Sequence, residues 1–304
     1  MTGTPQTAPG GARDDATTEF VTHRNLLFTV AYEMLGSAAD AEDVLQEVWL
    51  RWSDVDLAEV RDPRAYLVTI TTRQSLTRLR TLGRRKESYV GSWLPEPLLT
   101  TPDVAEDVEL ADNVSMAMLL VLETLAPTER AVFVLREVFD LGYDEIAQAV
   151  GKTQAAVRQI AHRARAHVAA RRPREVVSPA ETRAALEAFR RAVDSGDVQR
   201  LLDVLAPDVV LVGDGGGVVQ ALPKPVFGAD RVARVLATGM GRVAAAVALE
   251  PAEVNGQPAL VLRLDGKLDA VITVRVEGGR ITGVYAVRNP EKLSRMRQET
   301  ALRR

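Results

Sequence analysis

The sequence predicts a multidomain chain in which two all-helical segments precede an α+β domain, and three observations carry that prediction. Apolar residues recur at helical spacing up to about residue 90 and again from 114 to about 172. Beyond residue 205 the pattern changes to short apolar strands divided by Asn255-Gly256, Asp265-Gly266 and Gly278-Gly279, the turn chemistry of consecutive hairpins. Two proline-bearing stretches, "GSWLPEPLLTTP" from Gly91 and "RRPREVVSPAET" from Arg171, separate the three segments. A chain of 304 residues accommodates two or three such domains.

Residues 1–17, rich in Thr, Pro and Gly, read as a flexible tail. In the segment 18–90, "NLLFTVAYEML" and "AEDVLQEVWLRW" are amphipathic, the second placing Val44, Leu45, Val48, Trp49 and Trp52 on one side. Asp62-Pro63 is a helix start, an Asp cap followed by Pro in the first turn. The run after it is long, basic and threonine-rich. Residues 91–113 form an acidic linker, 114–172 a second helical segment and 173–180 a second linker. The domain 181–293 then holds two helices, the strand-like "DVVLVGDGGG", a helix from about Asp230 to Thr238 and a β-meander; 294–304 is a basic tail.

Composition removes several function classes. Hydrophobic residues make up 46% and charged residues 26%, ordinary for a globular protein. No apolar run approaches the roughly 18 residues that span a bilayer, and the N-terminus lacks the pattern of a signal peptide. The chain has no cysteine, which excludes disulfides, Cys-ligated zinc, iron–sulfur clusters and thiol nucleophiles and suits a cytoplasmic protein. His162 and His167 lie five apart, off the i, i+4 spacing of a helical metal pair, so neither metal nor cofactor is expected.

Net charge is only -3, but charge is sorted in blocks. Residues 40–60 carry seven acids against Arg51; residues 61–86 carry seven Arg and Lys86 against Asp62. Residues 96–112 hold six acids and no base, and residues 146–174 hold Lys152 and six Arg with no acid. Inside the last block, "YDEIAQAVGKTQAAVRQIAHRARAHV" has the spacing of a helix-turn-helix over 143–162. Ala147 stands at the helix crossing and Gly151 in the turn, with Val157 and Ile160 packing the second helix on Ile146 and Val150 of the first. Thr153 is placed to cap the second helix. Thr153, Gln154, Ala155, Arg158, Gln159, His162 and Arg163 then face outward, side chains suited to base edges and phosphates in a major groove. An ordinary helical hairpin with solvated charges is the plainer reading.

The basic run after Pro63 interleaves cations with Thr, Gln and Tyr (Arg61, Arg64, Tyr66, Arg73, Gln74, Arg78, Arg80), which suits an unpaired strand as well as it suits a solvated helix face. The acidic-apolar helix before it, carrying Trp49 and Trp52, looks like a protein-docking surface. Together "DAEDVLQEVWLRW…DPRAYLVTITTRQSLTRLR" and "LAPTERAVFVLREVFDLGYDEIAQAVGKTQAAVRQIAHRAR" resemble regions two and four of the extracytoplasmic-function sigma factors of bacterial RNA polymerase. The resemblance implies that Asp43, Gln46, Glu47, Leu50 and Arg51 contact core polymerase. It also implies that the helix after Pro63 melts and reads the minus-ten element and that the helix from Thr153 reads the minus-thirty-five element.

Three further motifs, "WLPEP" (Trp93, Pro95), "DGGG" (Asp214, Gly215, Gly216, Gly217) and "NPEKL" (Asn289, Pro290, Lys292), are similar to the SigJ-like subgroup, in which a cone-shaped SnoaL-like domain follows region four and regulates in cis. The resemblance spans roughly residues 18–293. The subgroup's glycine motif usually continues with lysine; here Val218 follows, and Lys224 lies too far along to replace it. The resemblance also implies no need for an anti-sigma partner and room for a small apolar ligand in the cone. The glycine run has neither nucleotide-loop spacing and reads as a close backbone approach at a strand end, continuing as extended chain. An enzyme would need a base, with Asp214 the nearest candidate, but the C-terminal domain has no His, no Trp and only Tyr285. The remaining alternative is a ligand-responsive helix-turn-helix regulator, which leaves the first helical segment without a role.

Overall fold

The computed structural model describes residues 9–101, 104, 108–172, 177–241, 247–296 and 299–303. In chain order the helices are α1 (Pro9–Leu35), α2 (Ala38–Trp52), α3 (Pro63–Glu87), α4 (Val108–Val114), α5 (Met116–Leu122), α6 (Pro127–Phe133), α7 (Tyr143–Val150) and α8 (Gln154–Ala169). They are followed by α9 (Pro179–Ser195), α10 (Val198–Val204), β1 (Leu205–Asp214), β2 (Val226–Phe227), α11 (Ala229–Gly241), β3 (Val247–Val254), β4 (Gln257–Leu264), β5 (Lys267–Glu277), β6 (Arg280–Val287) and α12 (Pro290–Leu293). The chain divides into two compact units, Met1–Leu82 with Leu125–His167 and Leu302–Arg304, and Gly83–Thr124 with Val168–Ala301.

The first unit is all-helical. Ser37 caps α2 by accepting from the Asp40 amide at 3.2 Å, and the predicted stripe Val44, Leu45, Val48 and Trp52 is buried. Trp52 is fully buried, so it is a core residue and not part of a docking surface; Trp49 is half-buried with its ring 5.2 Å from Phe20. A buried indole needs a partner, and the Trp52 Nε1–H donates to the Ala16 carbonyl at 2.8 Å. That contact corrects the reading of 1–17 as a flexible tail, since α1 starts at Pro9 and Ala16 is buried; residues 1–8 lie outside the described residues. Asp62 caps α3 as expected, accepting from the Ala65 amide at 3.0 Å.

Two arginines join the helices of this unit. Buried Arg130 of α6 donates to the Glu33 carbonyl of α1 at 3.1 Å, and Arg73 of α3 donates to the carbonyls of Gln148 (2.8 Å) and Ala149 (3.4 Å) at the end of α7. Those carbonyls are the negative, unpaired end of a helix, a natural seat for a cation. Most of the two predicted helical segments, up to Leu82 and over Leu125–His167, therefore lies in one body, while residues 83–90, 114–124 and 168–172 belong to the second unit.

The second unit is α+β. Its six-stranded sheet has the order β2-β1-β6-β5-β4-β3, parallel between β1 and β6 and antiparallel elsewhere. The meander predicted from the Asn-Gly, Asp-Gly and Gly-Gly turns is β3 to β6, with Asn255, Asp265 and the following glycines at positive φ. One sheet face packs on α9–α11 through Leu186, Phe189, Leu201, Val232, Leu260 and Ile281. The other is covered by the linker and α5, with Leu94 and Met116 against Val254, Val271, Tyr285 and Val287. The C-terminal residues also pack: Thr300 donates to the Leu99 carbonyl at 2.8 Å, and Leu302 is buried in the first unit, where the Arg303 amide donates to Thr29 at 3.0 Å. The basic tail is thus bonded at Thr300 and Arg303; residues 297, 298 and 304 lie outside the described residues, as do 102, 103, 105–107 and 173–176 of the two linkers.

Candidate nucleic-acid interface and linker-binding cluster

The helix-turn-helix is built as its spacing requires. Gly151 ends α7 at φ 66, ψ 41, a left-handed conformation that favours glycine. Thr153 accepts from the Ala156 amide at 3.2 Å and starts α8. Ile146, Val157, Ile160, Ala161 and Ala164 are buried between the helices; Ala149 is the buried residue of α7 where Val150 was expected, and Val150 and Ala147 are half-buried. Thr153, Gln154, Ala155, Arg158, Gln159, His162 and Arg163 are all exposed on the opposite side.

The second basic surface is only partly free. Arg61, Arg64 and Arg80 are exposed and Tyr66 is 39% exposed. Arg73 spends its guanidinium on the α7 carbonyls. Gln74 is buried, its amide oxygen accepting from the Arg51 guanidinium at 2.7 Å in the orientation that satisfies both groups. Arg78 is half-buried, donating to Asp40 at 2.7 Å and pairing with Asp43. Arg73, Gln74 and Arg78 are thus engaged within the chain here, because α3 turns that face toward α2 and α7. On α2, Gln46, Glu47 and Leu50 are exposed, Leu50 at 64%, while Asp43 and Arg51 also reach solvent but are engaged with Arg78 and Gln74.

In the second unit the three short motifs meet. Parallel pairing of β1 with β6 sets Asp214 beside Val287, so the glycine run and "NPEKL", each following one of these strands, leave the sheet at the same end of adjacent strands. Asp214 is fully buried and accepts from the Lys292 ammonium at 2.7 Å, the Tyr89 hydroxyl at 2.6 Å, the Leu94 amide at 2.9 Å and the Gly216 amide at 3.1 Å. Asn289 caps α12, accepting from the Glu291 amide at 3.0 Å, and donates to the Tyr89 hydroxyl at 2.8 Å. Lys292 also donates to the Leu94 carbonyl at 2.5 Å and lies 3.4 Å from the Trp93 ring centroid. Pro95 is buried with Leu94, Glu96, Pro97 and Leu98, and Pro290 is the exposed first residue of α12. A carboxylate and an ammonium removed from water hold each other's charge only with such saturation. Burial, opposed by Asp214, lowers the Lys292 pKa, and burial with the Asp214 bond raises that of Tyr89.

The glycines are fixed by this crowding. Gly216 has φ 63, and a Cβ there would lie 2.3 Å from the Asn289 side-chain nitrogen; at Gly217 it would lie 3.0 Å from Val90. The run closes as a turn, with Val218 and Val219 donating to the Gly215 carbonyl at 3.0 and 3.2 Å, and not as the extended chain expected. Val218 and Lys224 are exposed, so the cation that meets Asp214 is Lys292 and the departure at 218 leaves the cluster intact. With four donors on its carboxylate, Asp214 is a structural anchor and not a base. Two residues escaped the sequence reading. Tyr89 sits outside all three motifs. Asn255 looked like a turn residue, yet its buried side chain accepts from the Leu98 amide at 3.0 Å and donates to the Val114 carbonyl at 2.9 Å, gripping the linker a second time.

Residues 20–85 match the sigma-70 region 2 family and residues 115–168 the sigma-70 region 4 family. The chain belongs to the extracytoplasmic-function sigma factors of RNA polymerase, which bind the core enzyme and promoter DNA to direct transcription initiation; it is not an enzyme in its own right. Within that family it is SigJ-like. It is 35% identical over 291 residues to the sigma factor SigJ of Mycobacterium tuberculosis, covering 91% of this chain and 92% of that one. It is 34% identical over 281 residues to the probable sigma factor SigI of the same species, covering 91% and 94%. The crystal structure of M. tuberculosis SigJ matches with a TM-score of 0.75 at 32% identity, over 92% of this chain and 99% of that one.

Proposed function

We propose that this sigma factor is regulated in cis: its C-terminal SnoaL-like domain controls promoter engagement by holding the segment that joins region two to region four. The observation that supports this reading is the Asp214 cluster, in which the domain's two loop motifs hold Tyr89 and Leu94 of that segment. The minus-ten and minus-thirty-five elements lie about 25 base pairs apart by name, about 85 Å of duplex at roughly 3.4 Å per pair. Fully extended, the 23 residues 91–113 reach about 80 Å. Residues bonded to the sheet at Leu94, Leu98 and Thr100 cannot contribute to that span. Holding the linker therefore restricts which element spacings the two regions can occupy together, and an anti-sigma partner is not required for that restriction.

In the same reading α8 meets the minus-thirty-five element through Thr153, Gln154, Ala155, Arg158, Gln159, His162 and Arg163. Arg61, Arg64 and Tyr66 meet the minus-ten element, joined by Arg73, Gln74 and Arg78 once α3 is released. Gln46, Glu47 and Leu50, with Asp43 and Arg51, meet core polymerase in the cytoplasm. A groove of about 410 Å³ between α9 and the β3–β4 hairpin, lined by Leu186, Ala252 and Leu260 together with Arg183, Glu187 and Glu253, has room for a small ligand. Run-off transcription with core polymerase tests the account, comparing the full chain with its Asp214→Asn and Lys292→Met variants. Unchanged core affinity with altered promoter output is expected; unchanged output from both variants would overturn cis control. Point variants are preferable to removing the domain, which would strip the cover from Leu94 and Met116.

A further inference from the structure

Tyr143 opens α7, the first helix of the helix-turn-helix, yet three arginines converge on it. The Arg158 guanidinium lies 5.5 Å from its ring centroid and that of Arg136 lies 5.1 Å away. Arg165 donates to its hydroxyl at 2.9 Å. Two of the three are neutralised by carboxylates. Arg165 pairs with Glu137 at 2.9 Å, and Arg136 pairs with Asp140 at 3.0 Å while donating to the Leu141 carbonyl at 2.8 Å. Arg136 and Glu137 are presented by a single π-helical segment, Val134–Val138, a wide turn of a kind that tends to accompany function. Among the described residues no carboxylate pairs with Arg158; its side chain rests on the Tyr143 ring and is otherwise exposed.

We infer that Tyr143 is a positioning residue for promoter recognition, holding the Arg158 guanidinium in the orientation from which it reads a base, with guanine the chemistry it suits. An arginine is a selective reader because its planar fork can make two parallel hydrogen bonds to O6 and N7 of guanine. A free arginine must surrender its rotamer freedom on binding, and an aromatic platform removes much of that loss beforehand. The ring's position is itself fixed, by the α7 start at Gly142, whose amide donates to Glu145 at 2.7 Å, and by the Arg165 bond. The inference rests on the assignment of α8 to the minus-thirty-five element.

The test is selection of duplexes from a library randomised across the minus-thirty-five region, using the full chain bound to core polymerase. Arg158→Ala should cost about tenfold or more in preference at one base position. Tyr143→Leu should cost about two- to fivefold at that same position and elsewhere leave the selected sequence alone. Tyr143→Phe and Tyr143→Trp, which keep a π face, should retain the preference. In the double variant Tyr143→Leu with Arg158→Ala, the tyrosine change should add nothing further. A preference altered by Arg158→Ala but untouched by Tyr143→Leu, or additive losses in the double variant, would overturn the positioning role. A selected sequence that ignores Arg158→Ala would overturn the assignment of α8 and this inference with it. Should Tyr143→Leu not fold, Tyr143→Gln and Tyr143→Met decide in its place: each removes the π face and should lose the same preference, and its retention would contradict the inference.

Discussion

Replacing Asp214 by alanine tests the linker-binding cluster at its centre. Four donors lose their acceptor at once, and the Lys292 ammonium, only 7% exposed, is left buried without its counter-charge. Breaking a buried ion pair by removing one partner costs about 3–5 kcal/mol. Lys292 keeps the Leu94 carbonyl and the Trp93 ring, which together offset about 1–2 kcal/mol of that. The local loss is therefore about 3 kcal/mol, or about two decades in an opening equilibrium at roughly 1.4 kcal/mol per decade. Hydrogen exchange on peptides covering 89–101 reads it directly, since the Leu94 amide is bonded to the missing carboxylate. Protection there should fall about a hundredfold while α7 and α8 keep theirs. The double variant Asp214→Asn with Lys292→Met removes both charges and should recover more than half of the loss. Protection that survives Asp214→Ala unchanged would show that the Asp214 carboxylate does not hold this segment.

Other outcomes follow from the same geometry. Burial pushes the Glu33 carboxyl up to about 8 against the nearby Arg130 guanidinium, and neither of its oxygens has a hydrogen-bond partner among the described residues. Because the folded state binds the proton more tightly, this contribution is fully present below pH 4.5 and is lost as pH rises through 8. It amounts to something on the order of 5 kcal/mol, and Glu33→Gln should flatten that slope in urea titrations; a slope that persists would contradict it. Gly216→Ala combines a positive φ with a Cβ 2.3 Å from Asn289 and should cost about 2–3 kcal/mol of unfolding free energy in a urea titration; a loss below about 0.5 kcal/mol would count against the close packing. Leu50→Glu, on an exposed position of α2, should leave stability within about 0.5 kcal/mol yet weaken core-polymerase binding at least tenfold in a fluorescence titration; unchanged affinity would remove Leu50 from the contact surface.

What the sequence made legible was whatever local chemistry decides. Gly151, Thr153, Val157 and Ile160 announced the helix-turn-helix because a tight turn, a cap and a crossing each demand a residue type at a fixed spacing. The meander was equally legible, since Asn255, Asp265 and their glycines adopt the positive φ that hairpin turns require. Long-range pairing was not. Arg73, Gln74 and Arg78 read as a free basic face because periodicity cannot say which neighbour a helix turns toward, and here α2 and α7 claim them. The Asp214 cluster depends on one parallel strand pair, β1 with β6, that joins motifs 75 residues apart (Asp214 to Asn289). Tyr89 carried no signal at all, because a lone tyrosine after a basic helix becomes meaningful only once Asp214 and Asn289 are beside it.

Control of promoter engagement by the C-terminal domain, as proposed, works through its hold on the linker. Its most direct test is run-off transcription by core polymerase with the full chain, on templates in which the distance between the two promoter elements is varied one base pair at a time. The held linker predicts a narrow optimum for the natural chain and a broader one for Asp214→Asn and for Asn255→Ala, which release the linker at different points. Identical spacing profiles for all three would contradict the claim.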